Sequence, residues 1–260
     1  MKTIVLQSFR QHDVPWWLGR CMNSVAEWAK QAGWQYQFQG DAFFDLAPEW
    51  VHKRCTGNIY ALTDVCRLQW LLEQLDAGYE RVIWADADVL IFAPEQLDIT
   101  SVNNHAFAHE LFVHLESNGD ITPVAGINNA LMIFERSQTI LDRYLKLSLS
   151  SLQNQPPGPV PRTALGPALL KELNTKDNPL KTINGVGLFT LAIMQELASS
   201  PGPLIRELIL NSPKPPGAAN LCHFLRNATP PFQRPYFDEI YNQAVSQLIT
   251  TGRKIFNQEQ

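Results

Sequence analysis

The chain has 260 residues, 45% of them hydrophobic and 18% charged, which suits one globular domain, or one with a small appended lobe, around a core of ordinary size. A net charge of -4 and a pI near 5.9 exclude the broadly basic surface that holds nucleic acid or anionic lipid. The four cysteines (Cys21, Cys55, Cys66, Cys222) form no CxxC pair and no zinc spacing, so buried thiols in a reducing cytoplasm are the expectation. No signal peptide and no apolar run of bilayer length are expected, which reads as a soluble chain with no transmembrane segment.

Thr3 to Leu6 reads as a first strand, followed by a loop over Gln7 to Asp13. Trp17, Cys21, Val25, Trp28, Ala29 and Ala32 recur at helical spacing up to Gly33. Trp34, Tyr36 and Phe38 alternate with glutamines as in a half-buried strand, and Ala61, Val65, Leu68, Leu72 and Leu75 form a helical stripe ending at Gly78. Tyr79 to Ala85 is the next strand. This βαβ…αβ order predicts a parallel, doubly wound sheet. Further on, Ala106 to Ala108 and Ala130 to Phe134 read as strands, and Ser137 as the cap of a helix of about fifteen residues carrying Ile140, Leu141, Tyr144 and Leu145. Gln155 to Pro161, Pro157 included, is too rich in proline for a regular element. Gly166 to Leu173 and Gly187 to Ala198 are expected as helices. Ser199 to Ala219, with five prolines, is expected as a long loop with a short helix over Leu204 to Leu210, and loops of that length often act as lids. Helical spacing returns from Tyr236 to Phe256.

The densest chemical signal is Trp84-Ala85-Asp86-Ala87-Asp88-Val89-Leu90-Ile91-Phe92. Two aspartates lie between two strongly apolar strands, where burial costs free energy unless a cation or a set of donors meets them. A divalent metal holding a diphosphate is the natural occupant. Asp64 and Arg67 lie three apart on the preceding helix and share a face. Spacing alone leaves two readings: an exposed ion pair worth a few tenths of a kcal/mol, or an arginine that reaches a phosphate or sugar oxygen while Asp64 fixes it or accepts a sugar hydroxyl.

Thr63-Asp64-x-x-Arg67 followed by Asp86-Ala87-Asp88 resembles the sugar-binding core of DXD-containing glycosyltransferases, most of all the family of initiating mannosyltransferases and toxin glucosyltransferases. Asn128-Asn129-Ala130-Leu131-Met132-Ile133, Leu165-Gly166-Pro167, Cys222-His223-Phe224 and Asn23-Ser24-Val25-Ala26-Glu27-Trp28 add to the resemblance, which spans residues 1–225. The segment Gly78 to Trp84 is longer than that family's connection and closer to galactosyl- and xylosyltransferase groups. Leu165 stands in place of a threonine, and no tryptophan follows His223.

The resemblance implies a GT-A (Rossmann-like) α/β domain over 1–225, a helical extension over 226–260 packed on it, a UDP- or GDP-sugar donor, Mn2+ or Mg2+, and hexose transfer to a glycan or other hydroxyl acceptor with retention of configuration. It also implies that Asp88 binds the metal, that Asp86 meets the ribose or the metal's water shell, and that Asn129, next to Asn128 on the donor side, faces the reacting sugar. An asparagine at a strand start is equally a turn former. His223 reads either as a further metal ligand or as a core histidine. Gln7, Ser8 and Phe9 follow the first strand, where such folds hold the base; Phe9 either stacks on it or packs the loop. His105, His109 and His114 lack metal spacing and read as structural or surface residues.

Three other classes compete. A haloacid-dehalogenase-type phosphatase needs a later acidic pair, and Asp98, Asp120, Asp142, Asp177 and Asp238 stand alone. A nucleotidyltransferase needs a glycine-rich loop after the first strand, and Gln7 to Asp13 has no glycine. A non-catalytic module binding a nucleotide sugar or glycan stays open.

Overall fold

The structure, a computed structural model, describes every residue except Asp98, Pro157 and 257–260. The isolated Asp98 and the loop assignment of Pro157 lie outside the described residues.

β1 (Thr3–Ser8) runs directly into the core, extending through two residues expected in the loop. α1 (Trp16–Gln31) closes at Gly33, whose φ of 70° supplies the left-handed turn into β2 (Gln35–Gln39). A 3-10 turn over Asp41–Leu46 and the short α2 (Glu49–Arg54) precede α3 (Ile59–Asp76). Asn58 caps α3 by accepting from the backbone N–H groups of Tyr60 and Ala61. β3 (Arg81–Ala85) is buried throughout, and β4 (Val89–Ile91) begins just past the acidic pair.

β5 (His105–Leu115) and β6 (Ile121–Glu135) are much longer than their apolar segments, because residues 108–115 and 121–128 pair with each other as an antiparallel hairpin reaching beyond the core. α4 (Ile140–Asn154) has the expected fifteen residues. Its N-cap is Thr139 rather than Ser137, whose hydroxyl is engaged with the Asn104 side chain instead. After α5 (Pro167–Leu173) come β7 (Thr182–Ile183) and β8 (Val186–Leu188). The helix expected from Gly187 therefore starts only at α6 (Leu191–Ser199), since Gly187 and Leu188 pair with a later strand. Within the expected loop over 199–219, the short helix expected over Leu204 to Leu210 is α7 (Pro203–Asn211), anchored by the Glu196 carboxylate on the backbone N–H groups of Gly202, Leu204 and Ile205. β9 (Ala218–Asn220), α8 (Phe224–Ala228) and α9 (Arg234–Phe256) complete the chain.

Six strands form the central sheet in the order β2-β1-β3-β6-β5-β7. β1 pairs parallel with β2 and β3, and β5 with β7; β6 runs antiparallel to both its neighbours. Alternate residues of β1 point to opposite faces, as the strand period requires. Ile4 and Leu6 pack with α3, α4 and α5, while Val5 packs with Val25, Trp28 and Ala29 of α1. The result is an α/β fold with a mostly parallel sheet flanked by helices, consistent with a GT-A, Rossmann-like architecture. A second sheet, β4-β9-β8, lies beyond it. α9 packs Phe237, Tyr241, Ala244 and Leu248 against Trp17 of α1 and Met194 of α6, and Asp238 accepts from Trp17 Nε1 and from both Nε and Nη2 of Arg226. Among the described residues no helix is long and apolar enough to cross a membrane.

The acidic pair thus occupies the passage from one sheet to the other. Gly217 fixes the far side of that passage: its carbonyl accepts from Phe92 and Ala93, its N–H donates to Gly185, and a Cβ there would lie 2.2 Å from the Ala93 carbonyl oxygen. Gly217→Ala is expected to lower stability by about 2–3 kcal/mol. Gly19→Ala, in the open interior of α1, is expected to raise it by roughly 0.5–1 kcal/mol. Urea midpoints of the two variants test this, and equal midpoints would refute the packing account.

Candidate active site

The carboxyl ends of β1 and β3 open into a cleft of about 960 Å3. Its floor carries α3 and the β3–β4 turn, and its walls are the β5–β6 hairpin, the start of α5 and residues 222–225. Location at the carboxyl ends of parallel strands is where open α/β sheets leave room for a ligand.

Arg67 is the centre of the floor. Its Nη2 meets Asp64 Oδ1 at 2.9 Å, and its Nη1 meets Asp86 Oδ1 at 2.9 Å and the Asn129 carbonyl at 3.1 Å. The Asp64 and Arg67 side chains are each 7% exposed, so the exposed ion pair is excluded: this pair is buried. Trp84, two residues before Asp86 and on the same side of the strand, donates Nε1–H to Asp86 Oδ1 at 2.7 Å. Both donors fall on Oδ1, which makes Oδ2 the oxygen that can face a ligand.

Asp88 is tied to the opposite wall. Its Oδ2 accepts the His223 backbone N–H at 2.7 Å, and its carbonyl accepts from Leu221 at 3.0 Å. Cys222 adopts φ 53°, a left-handed conformation that turns the His223 N–H toward Asp88, and its own N–H is held by Asn220 Oδ1. The His223 ring packs against Phe9 and Trp17, yet its Nε2 is buried with no protein partner among the described residues. Burial, together with Arg10 and Arg226, pushes its pKa down to about 4, which keeps the imidazole in the neutral, ligating form.

The remaining site residues divide. Ser8 and Phe9 line the cleft, with the Arg10 guanidinium over the Phe9 ring. Gln7 is fully buried and lies behind the wall: its Nε2 donates to the Asp86 carbonyl, and its Oε1 accepts from Tyr36. Asn129 lies at a bulge where the β6 partner of β5 jumps from Met132 to Asn128, which releases residues 129–131 to follow the end of β3. Its Nδ2 donates to Asp64 Oδ1 at 2.9 Å and lies 3.3 Å from the Tyr144 hydroxyl. Asn128 uses Oδ1 to accept from the Ala130 N–H. His105 and His109 are partly buried on β5, and His114 is exposed at the cleft rim.

Tyr144 and Gly166 belong to this constellation and were legible only as a helix-stripe residue and a helix start. Tyr144 donates its hydroxyl to the Leu165 carbonyl at 2.6 Å beneath Asn129. A Cβ on Gly166 would come within 3.1 Å of Asn129 Oδ1, so the glycine makes room for that amide. A tyrosine inside an apolar stripe was the available signal, because a buried hydroxyl needs a partner.

Two of the three carboxylates, Asp64 and Asp86, thus share one guanidinium, and Asp88 is held by the His223 N–H. Burial raises Asp64 to about 6 against the pull of Arg67. Burial raises Asp88 to about 6, Asp86 adds to the rise, and the His223 N–H opposes it. Asp86 is raised by burial, with Arg67 and Trp84 opposing. Among the described residues no group of three or more His, Cys, Asp and Glu side chains is placed to hold a metal by itself. The carboxylates of Asp86 and Asp88 both line the cleft and are raised by burial, so the pair offers a divalent cation two oxygen donors, with its other ligands left to water and substrate phosphate.

The sequence matches no protein-family profile and no curated protein. It is similar to a glycosyltransferase involved in the glycosylation of the major capsid of PBCV-1, at 13% identity and a TM-score of 0.46 over 92% of this chain and 98% of that one. It is also similar to apo mouse xyloside xylosyltransferase 1, at 8% identity and 0.43 over 84% and 97%. A197 from STIV aligns at 11% identity and 0.26 over 56% and 68%. These likenesses are distant, and the chemistry of the site rests on its own geometry.

A raised carboxylate binds its proton more tightly in the folded protein, so stability is gained as pH falls through about 6 and the cost is fully present above it. Without divalent metal, Asp88→Asn is expected to be more stable than wild type at pH 7.5 by on the order of 1–2 kcal/mol, allowing for screening by cleft water. That advantage should vanish by about pH 4, where an ordinary aspartate is also half protonated. Denaturation curves of both proteins between these limits decide it; a pH-independent gap would contradict the assignment.

Proposed function

We propose that this chain is a glycosyltransferase that moves a hexose from a UDP- or GDP-sugar to a hydroxyl of a glycan or other acceptor, with Mn2+ or Mg2+ and with retention of configuration. The observation that carries the proposal is the floor of the cleft, where Asp64 and Asp86 pair with a single buried guanidinium and Asp88, two residues on, lines the same cleft with its carboxyl raised by burial. A hydrolase acting through Asp86 as nucleophile would also need a later acidic pair, which the sequence does not contain. A bound divalent cation supplies charge neutralisation for the departing diphosphate without proton transfer.

The residues of the chain have distinct parts in this reaction. Asp88 and Asp86 Oδ2 would hold the cation, with His223 Nε2 as the neutral donor beside them. Arg67 fixes Asp86 so that the metal-binding carboxylate costs little reorganisation, and Asp64 and Asn129 present the sugar side of the floor. Arg10 and Arg162 stand at the rim as cations for an anionic donor; Arg162 lies 3.6 Å over the Phe224 ring, which aims it without neutralising it. Phe9 offers an aromatic face for the base. Retention rests on the sequence resemblance. All four cysteines are buried thiols, in keeping with a reducing, cytoplasmic setting.

A thermal-shift panel of UDP- and GDP-sugars with and without Mn2+ identifies the donor, and turnover with that donor tests the reading. Asp88→Asn and Asp86→Asn are each expected to lower kcat/KM by at least about 100-fold, the loss of a first-order electrostatic contribution. Excess chelator should do the same to wild type. Undiminished turnover in Asp88→Asn or in chelator would reject the metal-dependent reaction. Metal-dependent donor binding without transfer or hydrolysis would replace it with a non-catalytic nucleotide-sugar module. The anomeric configuration of the product, read by NMR, tests retention.

A further inference from the structure

The β5–β6 hairpin supplies a cleft wall that the donor site does not use. Its register sets Glu110 opposite Gly126, Phe112 opposite Val124, and His114 opposite Thr122. The strand period puts these three pairs on one face, and Glu110, Phe112, His114, Val124 and Gly126 all line the cleft. The face therefore reads, from the inner end outward, as carboxylate, apolar patch and polar lip.

The inner end is built, not incidental. The Asn128 side chain favours the charged form of the Glu110 carboxyl against the cost of burial, and its Oδ1 accepts from the Ala130 N–H, which settles the orientation of the amide. A Cβ on Gly126 would lie 3.5 Å from Glu110 Oε2, so the missing side chain keeps that oxygen open to the cleft. Glu110, Asp88 and Cys222 line the same cleft. Next along the ribbon, the Phe112 ring is stacked on His114 at 5.5 Å and 25°, a pre-arranged aromatic surface.

A pyranose has an equatorial rim of hydroxyls and an apolar C–H face. We propose that this hairpin face is the acceptor subsite: a pyranoside lies with its C–H face on Phe112 and Val124 and donates a hydroxyl hydrogen bond to Glu110. An acyclic polyol offers the hydroxyl without the flat C–H face, and a plain hydrocarbon offers the face without the hydroxyl. The inference rests on the glycosyltransferase reading for its role, but the binding it asserts is independent of turnover.

Ligand-observed NMR with a panel of methyl gluco-, galacto-, manno- and xylopyranosides, in the absence of donor, tests it directly. At least one pyranoside is expected to bind, while sorbitol at the same concentration does not. Phe112→Ala and Glu110→Gln should each weaken that binding at least about 10-fold. Phe112→Leu, which keeps volume and apolarity but loses the ring, should weaken it less than Phe112→Ala, and thermal melts check that each variant is folded. With a donor in hand, the same variants should raise acceptor KM more than they lower kcat. Octyl glycosides in the same titration separate a lipid-borne sugar, which gains affinity along the neighbouring Leu191 and Leu204 wall, from a free glycan, which does not; both keep the ring on Phe112. Absence of pyranoside binding, or binding untouched by both Phe112→Ala and Glu110→Gln, would overturn the subsite. Pyranoside binding through Phe112 in a protein that neither transfers nor hydrolyses any donor would sustain the subsite and refute the transferase reading alone.

Discussion

The site depends on one cation that belongs to the protein. Arg67 is buried, and each of its terminal nitrogens is spent: one on Asp64, the other on Asp86 and the Asn129 carbonyl. A guanidinium is suited to this because its planar fork stays charged in any environment and can bridge several acceptors at fixed angles. The network joins three separate parts of the chain, namely α3, the end of β3 and the bulge of β6. Such a buried cluster is weak evidence for stability, since desolvation offsets much of the attraction. Its value lies in geometry: one carboxylate oxygen of Asp86 is immobilised, and the other is directed toward the cleft.

The fold provides the setting through two irregularities. The chain leaves the central sheet after Ala85 and re-enters pairing only at Val89, in the second sheet, so the intervening aspartates belong to neither ladder. The bulge in β6 shifts residues 129–131 toward the end of β3, where the Ala130 carbonyl accepts the Asp86 N–H at 2.7 Å. Both features place polar groups where regular pairing would have hidden them or turned them away. The strained backbone at Cys222 acts similarly from the other wall, since its φ of 53° directs the next N–H at Asp88.

Excess charge then links structure to chemistry. Burial raises all three floor carboxylates, which makes the charged form of each costlier than it is in water. A divalent cation relieves the same penalty while leaving the carboxylates ionised. The surplus negative charge around Arg67 is the feature that the proposed metal diphosphate would neutralise.

Local sequence determined the strands and helices with strong periodicity. The apolar run into Asp86, the stripe on α3 and the glycine stops at Gly33 and Gly78 needed no partner to be read, because each is a property of consecutive residues. Spacing paired Asp64 with Arg67, the cost of carboxylates between apolar runs singled out Asp86 and Asp88, and only the resemblance to DXD-containing glycosyltransferases joined the two pairs. Tertiary structure decided the rest. Leu111-Phe112-Val113 and the Asn118-Gly119 turn pair mark a hairpin locally, but the full length of its strands over 108–115 and 121–128 is set by each supplying the other's hydrogen-bonding partners. Gly187 and Leu188 lie in a helical composition but pair with β9. Gln7 became a brace for Asp86 rather than a lining residue, and Arg67 turned inward to bridge acids from distant segments. No local pattern encodes such contacts, since their free energy comes from groups that the fold brings together across 19 to 79 positions of chain.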